Sequence, residues 1–188
     1  MPHRLSIDLP THQMLAVSRT ALAALRAALL GDAEIAGTTY LQEAGYAGSA
    51  AVFGSFREWL RGRIEAEPGE LNLDEFGELA SEYFRVIGWG TLQIGSLGEA
   101  VATVDSSDWG EAVPDSALEH PGCHMTTGMF AGFFGQVAER PLAVLEVECR
   151  SMGAARCRFL LGAGEVMNYV YEEIERGLSY EDAVAGVS

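Results

Sequence analysis

The stretch Pro141–Gly162, PLAVLEVECRSMGAARCRFLLG, decides how the chain folds. Leu142–Cys149 is apolar and β-branched and reads as a strand. Ser151–Ala155 is small, contains Gly153 and reads as a turn, and Arg156–Leu161 reads as the returning strand. Cys149 and Cys157 each stand four positions from Gly153, so a hairpin centred there makes them cross-strand neighbours with α-carbons about 4.5–5.5 Å apart. The third cysteine, Cys123, opens a separate apolar segment, and Glu146 precedes Cys149 by three positions. Three sulfurs and one carboxylate are a suitable ligand set for a tetrahedral zinc ion.

Other readings of the cysteines stay open at this point. They are small hydrophobes that suit a core. A cross-strand disulfide is disfavoured by the odd count and by the absence of a recognisable signal peptide. A catalytic thiol beside His120 or His124 lacks an evident reaction partner. Zinc is the preferred reading, with one geometric condition. Side chains alternate along a regular strand, so Glu146 and Cys149 reach one metal only if the strand bulges or ends between them. Otherwise His124 or water is the better fourth ligand.

Cys123, Glu146-x2-Cys149 and Cys157, followed by Arg158 and Phe159, resemble the 4-vinyl-reductase-type domain, which also forms the aromatic-effector-sensing part of phenol- and xylene-responsive activators. The similarity runs from about Leu25 to Tyr180 and is strongest over Trp109–Leu161. It implies that the four residues hold a structural zinc. It also implies an α+β fold, helices packed around a small antiparallel sheet of about four strands, shared with TRAPP vesicle-tethering subunits and haem nitric-oxide sensors. In the aromatic-sensing relatives a tryptophan in a Ser-Trp-Glu context contacts the effector. The corresponding run here is Asp108-Trp109-Gly110-Glu111. Ile87-Gly88-Trp89-Gly90 is also similar to the family.

At 188 residues the chain reads as a single domain, 1–188, with an arm and helix over 1–31 and the stapled core over 32–188. A net charge of −15 argues against nucleic acid and against anionic membrane surfaces. Met14–Leu30 is interrupted by Arg19 and Arg26 and makes a poor membrane span, and a cytoplasmic location is expected.

Thr11 reads as the cap of a helix to Leu30, closed by Gly31, with Leu15, Leu22, Leu25 and Leu29 on one side. That side faces the core or, since the helix is alanine-rich, forms a homodimer contact. Ala33–Arg61 reads as one long or once-broken helix. The small run Ala44–Ala51 implies close approach of another backbone, because helical glycine costs about 1 kcal/mol relative to alanine. Asn72 and Glu75 form a capping box for the next helix. Trp89–Leu97 and Ala100–Ser106 read as two strands, and Ser106–Pro121 as a long loop. Cys123–Val137 reads as a helix in which Gly128 and Gly132 share a face, with the helix dipole favouring the Cys123 thiolate. Glu165–Arg176 and Tyr180–Ala185 read as terminal helices. Arg150, Arg156 and Arg158 are candidates to offset the charge of a thiolate-rich site.

The preferred function is binding of a small apolar, aromatic molecule by a zinc-stapled sensor or carrier. Trp109, Thr127, Phe133 and Phe134 are its candidate contacts, on the loop and helix that the metal pins. Two alternatives are a tetrapyrrole vinyl-reductase accessory enzyme, which the missing third glycine after Gly88-x-Gly90 and Gly162-x-Gly164 disfavours, and a protein-assembly subunit without ligand. A core filled by its own aromatic rings would favour the assembly role.

Overall fold

A computed structural model describes residues 7–187. Six α-helices pack with one four-stranded antiparallel sheet: α1 Arg19–Gly31, α2 Gly37–Ile64, α3 Leu73–Val86, β1 Gln93–Leu97, β2 Val101–Ser106, α4 His124–Val137, β3 Ala143–Glu148, β4 Cys157–Gly162, α5 Gly164–Glu175 and α6 Tyr180–Ala185. The strand order is β1-β2-β4-β3. This is the α+β arrangement expected of the sequence.

The sheet has two covered faces. Val104 of β2 and Phe159 of β4 pair and point to an aromatic core made with α2, α3 and α4. Val101 and Leu160 point the other way, onto Met167, Val170, Ala183 and Val184 of α5 and α6. Strand alternation therefore sorts β4 between two cores. On the second face Arg158 holds Asp105 through two bonds, Nε to Oδ1 at 2.8 Å and Nη2 to Oδ2 at 2.6 Å, and Arg156 pairs with Glu148 at 3.0 Å. Tyr180 ties the pair together, donating to Glu148 at 2.5 Å and accepting from Arg158 at 3.1 Å.

The first core is a network of ring contacts. Phe84 lies 5.1 Å from Phe133, 5.7 Å from Trp109 and 5.8 Å from Phe130, with edge-on or tilted geometry throughout. Tyr83 buries its ring and donates to the Val52 carbonyl at 2.9 Å, and burial pushes its phenol up to about 12.

Helices α2 and α4 approach at backbone distance. A β-carbon on Gly45 would stand 1.9 Å from the Met125 carbonyl oxygen, and one on Gly128 1.9 Å from that of Gln42. Of the small run read from the sequence, Gly45 and Ser49 serve this contact, whereas Gly48 faces open space.

Three expectations shift. The first helix starts after Ser18, whose side chain accepts from Ala21 N, and not after Thr11. Thr11 is taken by a competing turn, donating N–H and Oγ1–H to the Asp8 carboxylate. Leu15 lies ahead of the helix and is 87% exposed, and Leu25 within it is 53% exposed, so the expected leucine stripe does not turn as a whole to the core. The first strand begins at Gln93 rather than Trp89, because Asp108 draws in Thr91 N and Oγ1, both at 2.8 Å, and Gly90 sits at φ 131. The second helix runs unbroken from Gly37. Of the arm expected over Met1–Leu9, residues 1–6 lie outside the described residues. Among the described residues no helix is long and apolar enough to cross a membrane.

Candidate metal centre

The β3–β4 hairpin places two of the sulfurs. Its register slips between Glu146, opposite Phe159, and Glu148, opposite Arg158. The extra residue is the bulge that the shared-face condition demanded, and it turns Glu146 and Cys149 to the same side. Met152 N and Ala154 N both return to the Cys149 carbonyl, and Gly153 at φ 90 completes the tight turn.

Cys123 comes from elsewhere, at the cap position of α4. Its sulfur lies 3.9 Å from both Cys149 Sγ and Cys157 Sγ. One ligand atom from each of Cys123, Glu146, Cys149 and Cys157 falls within 4.8 Å of every other, and all four residues are buried. Ligands on a tetrahedron with bonds of about 2.3 Å stand about 3.8 Å apart. None of the three cysteines is in a disulfide, and Cys123 Sγ stands well beyond the bond length of about 2.05 Å from the other two sulfurs. Glu146 adds a second sign. Its Oε2 accepts the Cys123 N–H at 2.7 Å, while Oε1 is buried without a hydrogen-bond partner among the described residues. An orphaned carboxylate oxygen inside a protein is destabilising, and a cation beside it would remove that penalty. The residues therefore fit a thiophilic divalent metal. His124 is not in the group.

Without a metal the four groups cannot all ionise. Hydrogen bonds to Cys149 and Cys157, burial and the Glu146 charge hold the Cys123 thiol well above its ordinary value. Hydrogen bonds from the other two thiols draw Cys149 down. Burial, and then the Cys149 charge, raise Glu146 from 4.5 to about 9. A group whose folded pKa is raised supports the fold fully below its unfolded value and loses that contribution as pH climbs to the folded value. Metal loading needs the opposite, deprotonated forms. The melting-temperature gain from added zinc should therefore be small near pH 5 and widen toward pH 8. Scanning fluorimetry across that range checks it, and a flat gain would contradict it.

Arg156 and Arg158 do not offset the sulfurs, because they project to the opposite face and are taken by Asp105 and Glu148. From Arg150 the backbone N–H points at Cys157 Sγ, at 3.5 Å. Two residues of this region were not singled out from the sequence. Arg26 of α1 is buried and donates to the carbonyl of Gly122, beside Cys123, at 3.1 Å. Its one signal in the sequence is an arginine set within an otherwise apolar run, Ala21–Leu30. Glu111 is buried and accepts from Met125 N, Thr126 N and Thr126 Oγ1 at 3.0, 2.8 and 2.5 Å. It thus satisfies the first turn of α4, which Cys123 does not cap. Burial nevertheless raises its pKa.

The candidate ligand contacts divide. Trp109 is fully buried, its Nε1 donating to Thr126 Oγ1 at 2.6 Å, with Trp89 stacked on it at 5.5 Å. Phe133 and Phe134 are core rings 5.2 Å apart. Thr127 lies nearer the surface with Tyr46 and Val144, and its hydroxyl donates to the His124 carbonyl at 2.7 Å.

Comparison with known proteins agrees with this architecture. Residues 112–163, which contain the whole quartet, match the family model of the V4R domain. A protein of Methanocaldococcus jannaschii described as uncharacterized is 28% identical over 89 residues, and the alignment covers 47% of each chain, so it spans about half of that relative's length. The phenol-responsive sensory domain of the transcription activator PoxR, solved with phenol, superposes with a TM-score of 0.60 at 17% identity, over 86% of this chain and 81% of that one. A trafficking protein particle complex subunit 3 from Naegleria fowleri, covalently bound to palmitic acid, gives 0.56 at 13% identity, over 77% and 91%. At these identities the two structures show a shared fold.

Proposed function

We propose that the chain binds a small apolar, aromatic molecule, as a sensor or carrier, and that Cys123, Glu146, Cys149 and Cys157 hold a structural zinc ion. The observation that carries this reading is the convergence of three sulfurs on a carboxylate with an orphaned oxygen, at the start of the helix that bears Phe133 and Phe134. With four protein ligands the ion would supply a cross-link between α4 and the hairpin, closed to substrate. In this reading Trp109, Phe133 and Phe134 form the ligand wall, and Thr127 flanks it from the surface side, beside Tyr46 and Val144. Trp109 is tied to the same helix through Thr126, so displacement of its ring is felt at the metal-bearing end. PoxR, the similar fold solved with phenol, makes phenol the first probe to use. A homodimer through 1–31 belongs to the same reading, supported by the exposed Leu25 of α1.

The chain has three tryptophans. A Trp59→Phe, Trp89→Phe variant leaves Trp109 as sole reporter, and its emission should change saturably with phenol. Emission unaffected by phenol would contradict the wall assignment. One observation favours a second reading, an assembly subunit without ligand: Phe56, Tyr83, Phe84, Phe130 and Phe133 fill the core themselves. That reading expects a silent Trp109 and a stable complex with another chain.

A further inference from the structure

Segment 7–17 and α1 lie against the ends of α2 and α3 and enclose a cleft of about 1220 Å³. Leu22, Trp59, Ile87, Trp89 and Met125 make its walls apolar. None of Trp109, Thr127, Phe133 and Phe134 lines it.

Its charge is opposite to that of the molecule. The chain carries 12 Lys and Arg against 27 Asp and Glu, yet the cleft is lined by three arginines, Arg19, Arg63 and Arg85, and by one acid, Glu82. Two of the arginines are engaged. Arg19 donates to the Gly88 carbonyl at 2.7 and 3.2 Å and to that of Asp108 at 3.4 Å, which seats α1. Arg63 pairs with Glu82 at 2.6 Å and lies 5.1 Å from the Trp59 ring. Arg85 is exposed and has no hydrogen-bond or ion-pair partner among the described residues. An oily chamber with an unspent guanidinium at its edge suits a molecule that is apolar at one end and anionic at the other. The body gains about 25 cal/mol for each Å² taken from water, and the head meets a fork that binds carboxylates in two places at once. A neutral molecule leaves Arg85 idle, and a cation is repelled.

We infer that this cleft is a binding site for a small amphipathic monoanion, its hydrocarbon body between Trp59 and Trp89 and its carboxylate-type head on Arg85. The site is separate from the aromatic wall and stands whether or not phenol binds there.

Calorimetric titration of the full chain with decanoate and with 1-decanol, both below aggregation, tests it. Decanoate should bind one to one, and about tenfold more tightly than the alcohol, as one charge-assisted head contact provides. Arg85→Gln should abolish that preference by weakening decanoate alone, while Arg140→Gln, outside the cleft, should leave it intact. Because Arg85 is exposed, the variant should melt with the wild type. Equal affinities for acid and alcohol, no binding of decanoate, or a preference that survives Arg85→Gln would each overturn the assignment.

Discussion

Cys149→Ser is expected to lower the zinc content of the purified protein from near one per chain to near zero, and to lower its melting temperature by more than about 10 °C. The magnitude follows from the size of structural zinc contributions, on the order of 10 kcal/mol in small domains, set against about 2–4 °C per kcal/mol for a chain of this length. Substituting a buried cysteine merely as a hydrophobe costs far less, about 1–3 kcal/mol for the hydroxyl it leaves behind. Chelation separates the two. If Cys149 acts through a metal, the variant and the chelated wild type reach the same state, and chelating the variant adds little. If it acts through packing, the two losses add. Metal analysis and melting curves with and without chelator decide between them.

Gly128→Ala should be nearly as damaging, for an unrelated reason. The added β-carbon would stand 1.9 Å from the Gln42 carbonyl oxygen, 2.8 Å from its carbon and 2.9 Å from Tyr46 N. All three are backbone atoms of α2, so no side chain can yield and the helices must part. Parting them opens the ring contacts of Phe133 with Phe53 and Phe56, now at 5.7 and 5.4 Å. Overpacking of a well-filled core costs typically about 1–3 kcal/mol, and a backbone clash belongs at or beyond the top of that range. This exceeds the gain of about 1 kcal/mol from the better helix propensity of alanine. Gly48 is the control: on α2, exposed, with nothing within 4 Å of its would-be β-carbon. Gly48→Ala should stabilise slightly, and Gly128→Ala should lower the melting temperature by at least about 6 °C. Equal melting of the two variants would contradict the close approach.

What the sequence made legible was local. Gly153 between two apolar runs implies the hairpin, and so the meeting of Cys149 with Cys157, whose sulfurs lie within 4.8 Å. Requiring Glu146 to share their side implies a bulge, and the register slip lies between Glu146 and Glu148. Asn72 and Glu75 cap α3 reciprocally, as their spacing predicts. Gly45, Gly128 and Gly132 read as sites of close approach, although their partners depend on the path of the chain. The illegible features are competitions and long-range pairings. Asp8 wins Thr11 away from a helix start, and Asp108 wins Thr91 away from a strand. Arg158 follows Cys157 in a regular strand, so alternation turns it from the sulfurs, but its partner Asp105 is known only from the register with β2. Glu111 caps a helix 13 residues away from it, beyond the reach of any capping pattern. The arginine-lined cleft joins α1, α2 and α3, and no periodicity in one helix reveals it.

Zinc-edge X-ray absorption on protein purified without added metal is the most direct test of the centre. Close to one zinc per chain, with three sulfur neighbours at about 2.3 Å and one oxygen at about 2.0 Å, is the predicted result. Metal-free protein of full stability, or a first shell of nitrogen with fewer than three sulfurs, would contradict it.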